Sequence, residues 1–343
     1  MRRKPFFVIV ILVVALLLAL LIAASLGTVS IPLSEIAAIM LKRALSISIG
    51  VQWDEAQEAI VWQLRLPRVL GAAIVGAALA VAGVLFQGLL RNPMADPYLL
   101  GTSGGAALAA TLALLVPASF GVLGFTLVPL AAFVGALLAV LLVYQIARVG
   151  ARTPITTLLL AGFAASSMMA AAMSFLMLVN QTTLQHVVLW TMGGVSPSGW
   201  DALKVVVPLI LAGTVAAFAL TNDLNAFLLG EEQAAALGVQ VERQKLLVLA
   251  LGALLTGAAV AISGLVGFVG LIVPHVVRLL LGPDHRLLLP ASFLSGAIFL
   301  VLADLIARIV LAPSEVPVGV VTALIGAPFF IYLLRRTKRE YTF

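Results

Sequence analysis

The sequence predicts an all-α polytopic membrane protein with about ten transmembrane helices. Of its 343 residues, 63% are hydrophobic and 10% are charged, and the mean hydropathy is +1.20. Soluble domains carry roughly 25% charged residues. Long apolar stretches recur along the whole chain, and a helix needs about 20 apolar residues to cross a bilayer. We therefore expect residues 1–343 to form one transmembrane domain.

Ten stretches have the length and apolarity of spans. The first follows a basic start and is longer than the apolar region of a cleaved signal peptide, so we expect it to remain as a membrane helix. The stretch 246–281 is too long for one crossing, and its glycines and Pro274 predict a turn followed by a short or broken span. The predicted spans are about 6–26, 69–90, 98–116, 121–145, 155–179, 202–221, 246–263, 265–281, 287–311 and 317–334.

The positive charges give this arrangement a direction. Most of the 20 Lys and Arg residues fall in the termini and in alternate loops, on one side of the predicted spans. By the positive-inside rule, both termini are expected in the cytoplasm. Short basic clusters beside apolar spans explain the net charge of +6 and do not indicate nucleic-acid binding.

Two segments of the chain resemble each other. Residues 71–101 and 252–282 align without gaps, with matching glycines and alanines and with Pro93 over Pro274. The first copy begins on a span predicted to run inward and the second on one predicted to run outward. This predicts an inverted repeat with halves at about 66–180 and 246–336. The alternative is that two Gly/Ala-rich helices match by composition alone.

Charged residues inside the spans are rare and need a reason. Asp304 and Arg308 are four residues apart, so they share a helix face and can form a structural ion pair. Alternatively, Arg308 is offered to an acidic partner at the outer surface. Arg65 and Arg68 are predicted at the same level, where Pro67 is expected to break the helix and hold both guanidiniums in a turn.

Two inner segments are polar. The loop 91–97 contains two prolines and is expected to have a definite shape, either as a plain turn or as a plug at the inner mouth of a path. Residues 230–239 predict a short helix with acidic residues in its first turn and Gly238 at its end. This helix is either a handle for a soluble partner or an idle connection.

Catalytic motifs are absent from the sequence. It contains no phosphate-binding loop, no HExxH and no cysteine, and its three histidines lack metal-ligand spacing. We therefore expect neither an enzyme nor a bound metal or cofactor. An ion-coupled secondary transporter remains an alternative, which would require carboxylates at the membrane midplane; Asp304 is the one candidate.

Several segments together resemble the FecCD family, the permease subunits of type II ABC importers for cobalamin, ferric siderophores or haem. The resemblance covers nearly the whole chain after the first span. The segments that carry it are RLPR (65–68), RNPMADPYLLGTSGGA (91–106), LLLAG (158–162), WTMGG (190–194), GEEQAAALGV (230–239), GLVGFVGLIVPHVVRLLLGPDHRLLLP (264–290), DLIAR (304–308) and EVPVGVVTALIGAPFFIYLLRR (315–336).

The resemblance implies a BtuC-like ABC importer fold and a homodimer with the path at its interface. It also implies two cytoplasmic ATP-binding subunits, which use ATP and Mg, and a periplasmic or lipid-anchored substrate-binding protein. The function it implies is import of an iron complex or cobalamin. It leaves the identity of the chelate open.

The resemblance also implies roles for particular residues. Docking of the binding protein is expected at Arg65, Arg68 and Arg308. Coupling to the ATPase is expected at Gly230, Glu231, Glu232, Ala234, Leu237 and Gly238. A cytoplasmic gate is expected at Asn92, Pro93, Met94, Thr153, Ile155 and Thr156. In the second gate segment, Pro154 and Ile155 depart from the Ser/Thr-rich segment of the cobalamin permease.

Overall fold

The computed structural model describes residues 3–27, 31–47, 50–116, 121–122, 125–180, 183–195 and 199–338. Within these ranges the chain forms α-helices and an antiparallel pair of two-residue strands, β1 (Gly121–Val122) and β2 (Phe125–Thr126). The helices are α1 (Arg3–Ser25), α2 (Leu33–Leu45), α3 (Glu55–Ala59), α4 (Leu66–Leu89), α5 (Thr102–Leu115), α6 (Leu127–Ala147), α7 (Ile155–Val179), α8 (Leu184–Thr191), α9 (Gly199–Ala219), α10 (Thr221–Phe227), α11 (Glu231–Ala236), α12 (Val241–Ser263), α13 (Val269–Leu281), α14 (His285–Ile309) and α15 (Val318–Lys338).

Ten apolar helical segments lie where the ten spans were predicted, which confirms the all-α membrane fold. Three of them, α5, α13 and Val318–Leu333 of α15, are shorter than a full crossing. The other seven are long and apolar enough to cross a membrane: Phe6–Ser25, Glu55–Leu89, Leu127–Ala147, Ile155–Val179, Gly199–Ala219, Val241–Ser263 and His285–Ile309. The repeat halves at about 66–180 and 246–336 stay a prediction.

Helix α4 is buried among its neighbours α12, α13 and α14. Gly76 of α4 faces Gly296 of α14, and Gly83 of α4 faces Gly270 of α13. A Cβ added at Gly76 or Gly83 would overlap a backbone carbonyl of the facing helix. Small residues allow membrane helices to approach this closely.

The expected helix break at Pro67 is wrong. Helix α3, a π-helical turn at Ile60–Arg65 and α4 form one continuous helix, Glu55–Leu89. Proline lacks an amide hydrogen, and in an α-helix its ring collides with a carbonyl of the preceding turn. The amide of Leu66 instead bonds back to the carbonyl of Val61, five residues away. This wider turn accommodates the proline.

The expected interruption between α12 and α13 is confirmed. The segment 264–268 is non-helical, and both Gly264 (φ +59°) and Phe268 (φ +69°) have left-handed backbone angles. At Gly264 a side chain would also collide with the carbonyl of Trp190. Glycine is therefore required there for both conformation and space.

The connection between α9 and α12 contains the short helix predicted at 230–239, which is α11. Gly230 (φ +112°) precedes this helix and Gly238 (φ +91°) follows it. Sequence reasoning missed α10, which is held to the bundle by the fully buried Leu224 and Phe227. The two short helices form a compact unit at the end of the bundle predicted to be cytoplasmic.

Candidate functional site

A charged cluster lies at the predicted outer end of the bundle, where α4, α14 and the loop before α15 meet. Asp304 is fully buried; its Oδ1 accepts a 3.0 Å hydrogen bond from Arg68 Nε, and its Oδ2 lies 3.0 Å from Arg308 Nε. Arg68 Nη1 also donates to Glu315 Oε2 at 2.8 Å. The Asp304–Arg308 pair is confirmed. Arg68 and Glu315 were missed as members of this cluster, since Arg68 and Asp304 are 236 residues apart in sequence.

Arg65 and Arg308 bind the C-terminal end of α1. Arg65 Nη1 donates to the carbonyl oxygens of Ala24 and Ser25, both at 3.1 Å. Arg308 Nη2 donates to the carbonyl oxygen of Ala23 at 2.9 Å. The last carbonyls of a helix lack intrahelical partners and favour cations, so both contacts stabilise the helix end. Arg65 and Arg308 thereby join α1 to the helix that contains α4 and to α14.

The three predicted docking arginines differ in exposure. Arg65 is 7% exposed and Arg308 is 5% exposed, whereas the side chain of Arg68 is 15% exposed and its partner Glu315 is 46% exposed. Arg68 is therefore the most accessible of the three, and Nη1 of its guanidinium is bonded to Glu315. The docking role of all three residues stays a prediction.

An open cavity of about 720 Å³ adjoins this cluster. Its walls include Arg68, Glu315, His186 and Trp190 together with the backbone at Gly264. The lining thus combines apolar and aromatic groups with a few polar ones, as in sites for sizeable organic ligands. Among the described residues, no group of three carboxylate or imidazole side chains is placed to hold a metal ion.

The first predicted gate segment has the definite shape that its prolines suggested. Asn92 Oδ1 accepts the amide of Met94 at 2.9 Å, and Asp96 Oδ1 accepts the amide of Tyr98 at 2.8 Å. Burial raises the pKa of Asp96 to about 6, although the hydrogen bond from the Tyr98 amide acts in the opposite direction. Gln87 supports the turn from α4 through weak bonds to buried carbonyls, including that of Ala95 at 3.4 Å.

Two cavities border this gate loop. Pro93 and Met94 line a small one of about 10 Å³ with residues of α13 and α15, among them His275 and Phe329. Asp96 lines a larger one of about 560 Å³ with residues of α5 and α7. The loop therefore lies beside α5, α7, α13 and α15.

The predicted coupling segment projects from the bundle. Ala234 is fully buried and anchors α11, whereas Leu229 and Leu237 are 63% and 66% exposed. Glu232 is exposed as well, and the carboxylate of Glu231 turns inward to Lys245 at 2.8 Å. Two exposed leucines flanking a short, anchored helix are a suitable contact surface for a soluble protein.

The second predicted gate segment is divided between two environments. Thr153 is buried: its amide donates to Glu242 Oε2 at 2.9 Å, and its carbonyl accepts from Lys245 Nζ at 3.0 Å. Ile155 is half-buried and Thr156 is exposed in the first turn of α7. Sequence reasoning missed Glu242 and Lys245. Their spacing of three suggests a pair on α12, but nothing local reveals their bonds to Thr153.

Comparison with known proteins decides the family. Residues 14–336 match the FecCD transport family. The chain belongs to this family. It is 46% identical over 298 residues to the cobalamin import system permease protein BtuC of Halobacterium salinarum, covering 87% of this chain and 79% of the relative. It is 41% identical over 310 residues to the hemin transport system permease protein HmuU of Yersinia pestis, covering 87% and 90%.

The FecCD fold is also seen in a solved structure. A chain assigned to a metal-chelate type ABC transporter, in an inward-facing conformation, matches with a TM-score of 0.78 and 31% identity. The match covers 96% of this chain and 99% of that one. The expected family and BtuC-like fold are therefore confirmed. As a FecCD protein, the chain is a multi-pass membrane permease.

Proposed function

We propose that this chain is the membrane-spanning subunit of an ATP-driven importer that carries a metal chelate into the cytoplasm. The chelate is cobalamin, haem or a ferric siderophore. The observation that carries this proposal is α11, which is flanked by the exposed Leu229 and Leu237 and bonds through Glu231 to Lys245, next to Thr153 of the predicted gate. The FecCD relatives named above, with a cobalamin and a hemin permease among them, support the substrate class.

The proposed complex contains two copies of the chain, two ATP-binding subunits and a substrate-binding protein. The ATPases would seat α11 and supply the ATP and Mg chemistry, because the sequence has no phosphate-binding loop of its own. Helix α7 exposes large apolar side chains such as Leu160, Phe163 and Phe175. These side chains suit a contact with the second copy or with lipid.

In the proposed complex both termini lie in the cytoplasm.

We place binding-protein docking at Arg68 first. An acidic side chain of the binding protein can replace Glu315 as its partner without disturbing α1. Arg65 and Arg308 would take part only by exchanging their bonds to the α1 carbonyls. The cluster is thus divided into one accessible guanidinium and two that hold the helices around it.

An ion-coupled secondary transporter fits the structure less well. Such a protein needs an acidic side chain that is available to an ion or proton within the membrane. Asp304, the one candidate from the sequence, is engaged by both Arg68 and Arg308.

Transport in proteoliposomes tests the proposal. The chain would be reconstituted with its ATPase and binding protein and supplied in turn with cobalamin, haem and a ferric hydroxamate. We expect uptake of one of them to require ATP on the side of the membrane where the ATPase is bound. Uptake should stop when the ATPase is replaced by a hydrolysis-deficient variant. Uptake driven by a proton or sodium gradient without ATP would contradict the proposal and support secondary transport.

A further inference from the structure

We propose that Lys245 is a positioning residue that links the ATPase-facing helix α11 to the gate segment before α7. This inference rests on the proposed function and adds a specific route through the chain. The route begins at Glu231 on α11, passes through the ammonium group of Lys245 and ends at the backbone of Thr153.

The geometry around Lys245 is that of a closed junction. The side chain is 3% exposed, and its ammonium group donates to Glu231 Oε2 at 2.8 Å, Glu242 Oε1 at 3.0 Å and the Thr153 carbonyl at 3.0 Å. An ammonium group has three donors, so each is used. A buried lysine is rarely stable without such partners. The three bonds go to three separate elements: α11, α12 and the loop before α7.

Thr153 is held at both of its backbone polar groups. Lys245 binds its carbonyl, and the second oxygen of Glu242 accepts its amide at 2.9 Å. Pro154 follows directly as the residue before α7, with its φ fixed near −63°. A displacement of Thr153 is therefore transmitted to the first turn of α7, where Ile155 and Thr156 lie.

The same part of the chain also borders the other gate segment. Gly230 immediately precedes Glu231, and a Cβ added at Gly230 would lie 3.5 Å from Arg91 Nη1. Arg91 begins the gate loop and has a left-handed φ of +47°. The start of α11 thus lies close to Arg91 of one gate segment and is linked to the other through Lys245.

The bonds of Lys245 can be removed by substitution without leaving a buried carboxylate unpaired. The side chains of Glu231 and Glu242 are 31% and 32% exposed, so water can solvate either carboxylate if Lys245 is replaced. The bond between Lys245 and α11 can also be removed separately from the bonds to Thr153. Replacement of Glu231 removes only that link, and the bonds from Lys245 and Glu242 to Thr153 remain.

The test uses the full complex with its ATPase and binding protein in proteoliposomes. Since this chain contains no cysteine, Thr156→Cys supplies its one thiol, in the first turn of α7. In this background we would compare Lys245→Met, Lys245→Arg and Glu231→Ala, because alanine leaves no oxygen to accept from Lys245. Arg243→Met is the matched control, because Arg243 is an exposed cation two residues away on the same helix. The measurements are chelate transported per ATP hydrolysed and the thiol labelling rate with and without ATP.

We expect Lys245→Met to lower the transport-to-hydrolysis ratio by about five- to tenfold and to abolish the effect of ATP on labelling. The ATPase should still co-purify at full stoichiometry. Lys245→Arg should restore part of the ratio, and Glu231→Ala should lower the ratio as Lys245→Met does. If Lys245→Met fails to accumulate, Glu231→Ala provides the test.

The proposal is overturned if Lys245→Met and Glu231→Ala match Arg243→Met in both ratio and labelling. It is also overturned if they lower thermal stability alone while the folded complexes transport normally. A parent complex without ATP-dependent uptake would instead contradict the proposed function, so the two failures are distinguishable.

Discussion

Arg68 Nε donates a 3.0 Å hydrogen bond to Asp304 Oδ1 and thereby joins α4 to α14. The side chain of Asp304 is 1% exposed, and Arg308 approaches its other oxygen. The guanidiniums of Arg68 and Arg308 thus share one buried carboxylate. Burial of charges is costly, and the loss of one partner leaves the others without compensation.

Asp304→Ala should therefore be strongly destabilising. We expect the free energy of unfolding to fall by about 3–5 kcal/mol, since the buried Arg308 loses its counter-ion and Arg68 keeps only the partly exposed Glu315. Glu315→Gln is the control at the same cluster, and its partly exposed carboxylate should contribute about 1 kcal/mol or less. Thermal unfolding in detergent would measure both. Equal melting temperatures for the two variants would contradict the central role of Asp304.

Glu315→Gln has a second expected effect, which concerns docking. In the structure Glu315 neutralises the accessible arginine Arg68, so it competes with an acidic group of a binding protein. We expect Glu315→Gln to tighten docking a few-fold and Arg68→Gln to weaken it, with both effects reduced by salt. Binding of the cognate protein to immobilised permease at two ionic strengths would measure this. Weaker docking of Glu315→Gln would show that Glu315 does not compete.

The sequence allowed the spans to be predicted because hydrophobicity and length act locally along the chain. It also allowed the Asp304–Arg308 pair and α11 to be predicted, since both depend on spacing within one helix or on glycines at its ends. Contacts between distant segments left no local signal. The bond from Arg68 to Asp304 and the bonds from Lys245 to Thr153 belong to this class.

The helix break assigned to Pro67 failed for a different reason. Proline normally interrupts an α-helix, but its effect depends on the turn before it. Here the wider π-helical turn Ile60–Arg65 leaves space for the ring of Pro67, so the helix continues. A π turn has no reliable sequence pattern, so the sequence alone favoured the commoner outcome.

Gly83→Ala should destabilise the bundle. A Cβ at Gly83 would overlap the carbonyl of Gly270, so α4 and α13 would have to move apart. We expect a loss of about 1–3 kcal/mol. Gly267→Ala is the matched control, because no atom lies within 4 Å of a Cβ at Gly267. The melting temperatures of the two purified variants would test the close approach, and an unchanged value for Gly83→Ala would contradict it.

Leu237→Asp should weaken association with the ATPase and leave the permease itself stable. Leu237 is 66% exposed, so a carboxylate there costs the fold little but places a charge in the proposed interface. Leu237→Met retains an apolar side chain and serves as the control. Co-purification of tagged permease with ATPase would measure the effect. Normal stoichiometry for Leu237→Asp would count against α11 as the ATPase contact.

Asp96 and Asp284 should give opposite pH dependences of stability. Burial raises the pKa of Asp96 to about 6, so the folded state keeps its proton at a pH where the unfolded chain has released it. The contribution of Asp96 is therefore fully present below about pH 4 and is lost as the pH rises through about 6. The Arg286 amide and the Asn225 side chain hold the pKa of Asp284 below its usual value. Its contribution is present above the ordinary aspartate pKa and is lost as the pH falls through the lowered value.

Melting temperatures of wild type, Asp96→Asn and Asp284→Asn across this acidic range would separate the two groups. Asparagine keeps a side-chain oxygen that can accept the Tyr98 amide, so Asp96→Asn removes the titration and retains the turn. Relative to wild type, Asp96→Asn should gain stability as the pH rises from about 4 to about 6, because in this range the unfolded wild-type chain releases the Asp96 proton while the folded protein keeps it. Asp284→Asn should lose stability relative to wild type as the pH rises. Parallel pH curves for wild type and Asp96→Asn would mean that Asp96 titrates as it does in water and that the gate loop is open to solvent.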